Sequence, residues 1–310
     1  MTPSDLFPAI SPAMARELFL IRDASWADRF KENFNQFIVA PLEYSWPVIR
    51  LPLPPSRTSN HALIMVNSGR VDITIGHQAY TLRSQELVIV PALQIFTLHT
   101  IQPDSVGFMS FISQELILSA GSDIDFDFLK LTGNPYIRLS DQQTQFVHTI
   151  LTRLTIEYQE NGATKPELIR PYLLALFAEI DRAYIGPMSA KTDMGERLVQ
   201  RFMDLLTIRI RETRFASQYA DWLAVSPNYL NKVVKSRTGK SPSVWIDERV
   251  VLEAKVLLVQ SDLTVAQIAH EMGFPDQSTF GKLFRKYTRL TPTQFRSQFV
   301  GNKAVMSNTT

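Results

Sequence analysis

The sequence contains no cysteine among its 310 residues, which excludes disulfides, thiolate metal sites and thiol nucleophiles. It also lacks any run approaching the ~20 apolar residues that a membrane-spanning helix needs. Met1 to Arg16 has neither the basic start nor the apolar core of an export leader, and Pro3, Pro8 and Pro12 interrupt it. These absences give the expectation of a cytoplasmic protein with no membrane contact.

What is present is an ordinary globular composition, 45% hydrophobic and 20% charged. A length of 310 residues exceeds what one core supports, since single cores stop growing near roughly 250 residues, so two domains are expected. The net charge of +2 conceals an asymmetry. Residues 197–299 carry 16 Lys and Arg against 9 Asp and Glu, an excess of seven, whereas residues 1–196 carry 15 against 21. A positive footprint confined to one part of the chain is what counterion release from a phosphate backbone requires.

That basic part repeats itself. The first copy runs from Ser217 to Lys235 and on through Gly239-Lys-Ser-Pro242; the second runs from Thr264 to Lys286 and on through Arg289-Leu-Thr-Pro292. Each reads as helix, tight turn, helix. In the second copy Thr264 is a candidate N-cap, Val265, Ile268 and Ala269 share one side, and Gly273 supplies the positive φ that ends the helix. Asp276 then caps a helix with Phe280, Leu283, Phe284 and Tyr287 inward, leaving Gln277, Ser278, Thr279, Gly281, Lys282, Arg285 and Lys286 outward. In the first copy Ala220, Leu223 and Val225 face inward, Ser226 caps, and Pro227 takes the first helical position. Tyr229, Leu230 and Val233 are expected to pack, with Asn228, Asn231, Lys232 and Lys235 pointing away. Val225 and Gly273 set the repeat at 48 residues. Between the copies Pro242 starts a long connecting helix with Val244, Trp245, Val251, Ala254, Leu257 and Leu258 as its apolar stripe. A helix offering amides and cations near its N-terminus suits the major groove, where Asn and Gln read adenine and Lys reads guanine.

The repeated segment resembles the DNA-binding domain of the AraC/XylS family of bacterial transcription regulators. The residues that carry the resemblance include Ala220, Ser226, Pro227, Leu230, Gly239, Pro242, Arg249, Ala254, Ile268, Ala269, Gly273, Asp276, Phe280, Phe284, Pro292 and Phe295. The resemblance implies two recognition helices in successive major grooves of double-stranded DNA, with bases read by Asn228, Asn231 and Lys232 and by Gln277, Ser278, Thr279 and Lys282. Arg214, Lys235, Arg237, Lys240, Arg285, Lys286 and Arg289 are the candidate phosphate partners. Arg289 stands where the family usually has the glycine matched by Gly239, so either the final turn is looser or a phosphate contact offsets a left-handed arginine.

The N-terminal part has a different texture. Phe30, Phe34, Phe37 and Ile38 recur at near-helical spacing before a run of prolines in a segment, to about Arg57, expected to wrap the next domain. From His61 to about Ser113 short strands follow: Leu63–Val66, then Asn67-Ser-Gly69 as a turn, then Val71, Ile73 and Ile75 in alternation. Tyr80 and Leu82, Leu87–Val90 before Pro91, Phe96–Leu98 and Phe108–Phe111 continue the series. Such closely spaced strands indicate a small barrel or jelly roll, similar to the cupin-like effector-sensing domain of many members of the same family. Ser140 and Gln143 form a candidate capping box for a helix with Phe146, Val147, Ile150, Leu151, Leu154 and Tyr158 on one face, and a second helix starts near Pro166 or after Ile169. These helices, 140–184, either cover the barrel or pair two subunits.

The expected fold is therefore α+β: a cupin-like β-barrel with flanking helices over 1–183, a linker over 184–194, an all-α domain of two helix-turn-helix units joined by a long helix over 195–300, and a flexible tail over 301–310. The expected function is a transcription activator that binds an unidentified small-molecule effector and works with RNA polymerase. It needs no catalytic residue, cofactor or metal. The alternative is a metal-dependent cupin enzyme tethered to DNA, but His61, His77 and His99 are well separated and Glu86 stands alone, whereas a metal site needs three or four converging donors. An effector-free DNA-bending protein is the third possibility. Arg50, Arg70, Tyr80 and His99 are polar enough to line a pocket and equally suited to a surface, so none is assigned.

Overall fold

Strands in the first half of the chain build two antiparallel sheets. The structure, a computed structural model, describes residues 9–23, 26–118, 126–185 and 193–304, in two compact units, Met1–Gly186 and Pro187–Thr310. Residues 186–192 of the expected linker and 305–310 of the expected tail lie outside the described residues, and residues 301–304 belong to the last helix. In the first unit a helix α1 (Pro12–Phe19) precedes strands β1 (Phe37–Pro41), β2 (Ser56–Arg57), β3 (His61–Ser68), β4 (Val71–Ile75), β5 (Gln78–Leu82), β6 (Glu86–Val90), β7 (Ile95–Ile101), β8 (Val106–Ile112) and β9 (Tyr136–Arg138). Helices α2 (Asp141–Asn161) and α3 (Pro166–Asp181) follow. One sheet has the order β1-β8-β3-β6-β9 and the other β2-β7-β4-β5. No described strand is shared between them, so the fold is the double-sheet form of the jelly roll, not a closed barrel.

Burial of β3 and β6 shows how the layers are stacked. Leu63 and Met65, with Leu87 and Ile89, enter a core shared with Val147, Leu151 and Leu154 of α2 and Leu173 and Leu176 of α3. Their neighbours Ala62, Ile64 and Val66, with Val88 and Val90, enter a second core with Val71, Ile73, Phe96 and Leu98 of the other sheet. Because successive side chains point to opposite faces, a strand covered on both sides must be apolar throughout, hence the unbroken Leu87-Val-Ile-Val90. The outer sheet shows plain alternation instead, with Val71, Ile73 and Ile75 buried. Gly69 is needed at its turn: φ is +84°, and an added Cβ would lie 2.5 Å from the Ser105 backbone.

Several expectations need correction. Phe37 and Ile38 do not continue a helix but open β1, an edge strand paired with β8 through Phe37↔Ile112 to Pro41↔Phe108; at an edge Pro41 removes no needed donor. Phe146 is 43% exposed, and α2 buries Thr155 and Glu157 alongside Val147, Leu151, Leu154 and Tyr158. Helix α3 starts at Pro166 and carries Pro171 within it. Glu86 is not isolated on a strand edge: it is buried and accepts from the Tyr136 hydroxyl at 2.7 Å and the Arg83 amide at 2.8 Å, and burial, with Glu86 adding to it, raises Tyr136 to about 12. His61 accepts from the Ala92 amide through Nδ1 at 3.1 Å, and His99 lies 2.8 Å from the Thr74 hydroxyl. Among the described residues no three His, Asp or Glu converge as a metal-ligand set.

Among its described residues the second unit has helices as its only regular elements: α4 (Met194–Arg209), α5 (Ala216–Trp222), α6 (Pro227–Thr238), α7 (Pro242–Gln260), α8 (Val265–Glu271), α9 (Gln277–Thr288) and α10 (Pro292–Ala304). Its core joins Phe202 of α4, Leu230 and Val234 of α6, Phe280 and Phe284 of α9 and most of α7. No described helix is long and apolar enough to cross a membrane.

Two stability predictions follow from buried charge. Burial lowers His61 from the ordinary 6.5 to about 4, so between those values the unfolded chain binds more protons than the folded one. Stability is then fully present above pH 6.5 and falls as pH drops through the window, by on the order of 3 kcal/mol at pH 4. Urea melts at pH 7 and pH 4.5 are expected to differ for the native chain and to converge in His61→Asn, which keeps an acceptor but cannot titrate. In α7, Arg249 and Glu253 form an ion pair at 3.0 Å with side chains only 7% and 0% exposed. Glu253→Ala breaks that pair inside the core and is expected to lower unfolding free energy by about 3–5 kcal/mol, read from the same melts.

Candidate nucleic-acid interface

Each helix-turn-helix is built by caps before packing is considered. In the first, the Ser226 hydroxyl accepts from the Tyr229 amide at 3.2 Å and Pro227 opens α6. In the second, Asp276 accepts from the Thr279 amide at 2.8 Å, and that bond holds its carboxyl below the usual carboxylate range. Thr264 and Gln267 close a capping box at the start of α8. The turns match in detail: the Val225 amide donates to the Ala220 carbonyl and the Phe274 amide to the Ala269 carbonyl, at 3.0 and 2.9 Å. The left-handed residue is Ala224 in one turn and Gly273 in the other. The equivalent of Gly273 is therefore Ala224, 49 residues earlier, not Val225; the caps Ser226 and Asp276 are 50 apart because the second turn holds one residue more.

The far ends of the recognition helices match as well. Both end in a left-handed residue, Gly239 at φ 75° and Arg289 at φ 64°. Thr238 and Thr288 each place a hydroxyl 2.8 Å from the carbonyl four residues back, Val234 or Phe284. Each hydroxyl also accepts the amide two residues on, Lys240 or Leu290. The final turn at Arg289 is thus no looser than its glycine counterpart.

Packing then decides what faces out. Leu230 and Val234 anchor α6, and Phe280 and Phe284 anchor α9. Asn228, Asn231, Lys232 and Lys235, and Gln277, Ser278, Thr279, Lys282, Arg285, Lys286 and Arg289, are all exposed. The Thr279 hydroxyl donates to Asp276 at 2.9 Å and so serves the cap first. Three of the candidate phosphate partners hold protein partners. Arg214 donates to the Gly273 carbonyl at 2.9 Å with its guanidinium 3.8 Å above the Phe274 ring, and burial lowers its pKa. Arg237 pairs with Asp193 at 2.5 Å, and Lys240 with Glu248 at 2.7 Å over the Trp245 ring. Sequence reasoning misplaced Tyr229, which is 46% exposed beside Asn228, while Val234 is buried. The four-residue step from Leu230 to Val234 held the information, since it puts residue 229 about 100° off the buried line.

Residues 219–298 match the helix-turn-helix domain family. In this domain the chain is similar to regulators of the AraC/XylS family. The chain is 33% identical over 115 residues to the uncharacterized transcriptional regulatory protein YesN of Bacillus subtilis, covering 36% of this chain and 31% of that protein. It is 34% identical over 125 residues to the regulatory protein PocR of Salmonella typhimurium, covering 40% of each. The chain thus spans under half the length of these two relatives. The solved structure of ToxT from Vibrio cholerae, bound to an unsaturated fatty acid, aligns over 87% of this chain and 98% of that one, at 15% identity and a TM-score of 0.42.

Within this helix-turn-helix domain the left-handed positions are shared out unequally. The first copy has a non-glycine at its turn and glycine at its end, and the second has the reverse. A left-handed non-glycine costs roughly 1–2 kcal/mol, part of which glycine gives back through its freer unfolded chain. Arg289→Gly is expected to raise unfolding free energy by roughly 1 kcal/mol. Gly239→Ala, where an added Cβ would meet nothing within 4 Å, is expected to lower it by a similar amount in urea titrations.

Proposed function

We propose that the protein is a sequence-specific DNA-binding transcription regulator, an activator whose N-terminal unit senses a small molecule. The observation that carries this is the equivalence of α6 and α9: two helices capped at matching positions and carrying outward cations at matching positions, Lys232 with Lys282 and Lys235 with Arg285. In this reading Asn228, Asn231 and Lys232, and Gln277, Ser278, Thr279 and Lys282, face base edges in successive major grooves, about 34 Å apart on one side of the duplex. Lys235, Arg285, Lys286 and Arg289 neutralise phosphates. Arg214, Arg237 and Lys240 would each have to share or surrender an existing partner, so they contribute less.

The same reading gives α2 two roles. Its inner side covers the five-stranded sheet, and its outer side leaves Phe146 and Ile156 43% and 45% exposed, which suits pairing of two subunits through helices 140–184. Activation adds RNA polymerase as a partner. An enzyme on the N-terminal sheets is not favoured, because His61 and His99 are engaged in single hydrogen bonds that hold strands and turns together.

Binding to duplexes selected from a random-sequence library tests the reading. Lys282→Ala and Asn231→Ala are expected to cost about 1–3 kcal/mol on the selected sequence and to relax base preference at one position each. Arg289→Gly is expected to lower affinity evenly across sequences and to reduce the salt slope by about one. Equal losses on selected and random duplexes for the first two variants would remove their base-reading role.

A further inference from the structure

We propose that Gly281 is the point at which α9 comes closest to the duplex, its missing side chain letting the helix backbone lie against base edges on the floor of the major groove. The inference rests on the DNA-binding reading given above and adds to it an outward residue to which that reading gives no task.

Nothing among the described residues calls for glycine here. Gly281 is the fifth residue of α9, inside the helix, where glycine disfavours the folded state about fivefold relative to alanine. Two internal reasons retain such a glycine: a left-handed backbone, or a neighbour too close for a side chain. The positive-φ glycines among the described residues are Gly69, Gly76, Gly162, Gly239 and Gly273, and Gly281 is not one of them. A Cβ added to Gly107 would lie 2.0 Å from the Met65 carbonyl oxygen, whereas one added to Gly281 would meet nothing within 4 Å. Alanine would fit and would strengthen the helix, so the reason that remains is a surface arriving from outside.

The place of Gly281 on the helix says which surface that is. Gln277 and Arg285 lie one turn before and one turn after it on the same side of α9, and both are exposed. A duplex that meets both side chains passes over the glycine between them. The matching residue of α6, also fifth in its helix, is Asn231, to which the same reading gives a base. Where α6 extends an amide, α9 presents bare backbone. A helix with its side chains is about 10–12 Å across and the major groove about 12 Å wide, so the fit has little spare width. One methyl group added on the groove side pushes the helix outward and lengthens the contacts made by Gln277, Ser278 and Lys282 together.

The test compares the full native chain with Gly281→Ala in two measurements, urea unfolding and binding to a duplex that the native chain has selected from a random-sequence library. The variant is expected to be more stable, by about fivefold in the folding equilibrium, and yet to bind the selected duplex roughly tenfold or more weakly, with little change on random duplexes. Opposite signs are the diagnostic feature, because a folding defect lowers stability and affinity together. Gly281→Asn, which copies the first helix, is expected to lose at least as much affinity for the selected duplex. A smaller loss than tenfold in Gly281→Ala, an equal loss on random duplexes, or a variant less stable than the native chain would overturn the proposal. A native chain that selects a sequence, with Gly281→Ala binding it as well, removes the close approach alone. A native chain that selects no sequence removes the DNA-reading role itself and the contact at Gly281 with it.

Discussion

Burial of α7 on nearly every side is the constraint on which the second unit depends. Ile246, Val250, Val251, Ala254, Val256, Leu257, Leu258 and Val259 are all buried, which spreads apolar contact around the helix instead of along one stripe. The helix accordingly touches α4, α5, α6, α8, α9 and α10. An interior packed at crystal density has few alternative arrangements, so the two recognition helices are held by one shared core, not by a hinge. The Arg249–Glu253 pair is the only charge pair the sequence places on the buried side of this helix among the described residues. Such pairs seldom add net stability over apolar substitutes, and their attested use is to fix one packing register.

The paired threonine networks show how much of the repeat is backbone bookkeeping. Thr238 and Thr288 bond the same two groups at nearly the same distances, though the cores beneath them differ, Leu230 and Val234 against Phe280 and Phe284. Trp245 donates its indole N–H to Thr238 at 2.9 Å, and Tyr287 donates its hydroxyl to Asp247 at 3.2 Å. Both contacts tie the end of a recognition helix to the start of α7. The unit tolerates changed core volumes because end geometry is set locally and only then clamped to the common helix.

What the sequence made legible follows the range of each interaction. Caps, left-handed ends and the capping box at Ser140 depend on residues three or four apart and were readable, whereas Thr264, where Gln267 also closes a box, was read only as an N-cap. Alternation in β4 was readable because one face meets solvent. The edge strand β1 was not, since Phe37 and Ile38 fit a helix as well as a strand and only β8, about 70 residues on, decides between them. Tyr136–Arg138 escaped for the same reason, being a strand only through its pairing with β6. Side-chain partners were the least legible feature of the candidate interface. Nothing local couples Arg214 to Gly273 or Arg237 to Asp193, 59 and 44 residues apart.

Those partners also change what the positive charge of the second unit signifies. An excess of seven cations over residues 197–299 suggests a broad basic surface, yet Arg249 is paired inside the core and Arg296 donates to the Leu258 and Leu263 carbonyls at 3.0 and 2.6 Å. Lys235 and Arg237, like Arg285 and Lys286, occupy the last turns of their helices, where cations offset the negative end of the helix dipole with or without a ligand. Neither explanation reaches Lys232 and Lys282. Each is the sixth residue of its helix, exposed, and outside the last turn. A cation repeated at the same outward place on two helices, which in Lys282 also lowers the Asp276 carboxyl, is the feature that the proposed reading ties to a repeated ligand.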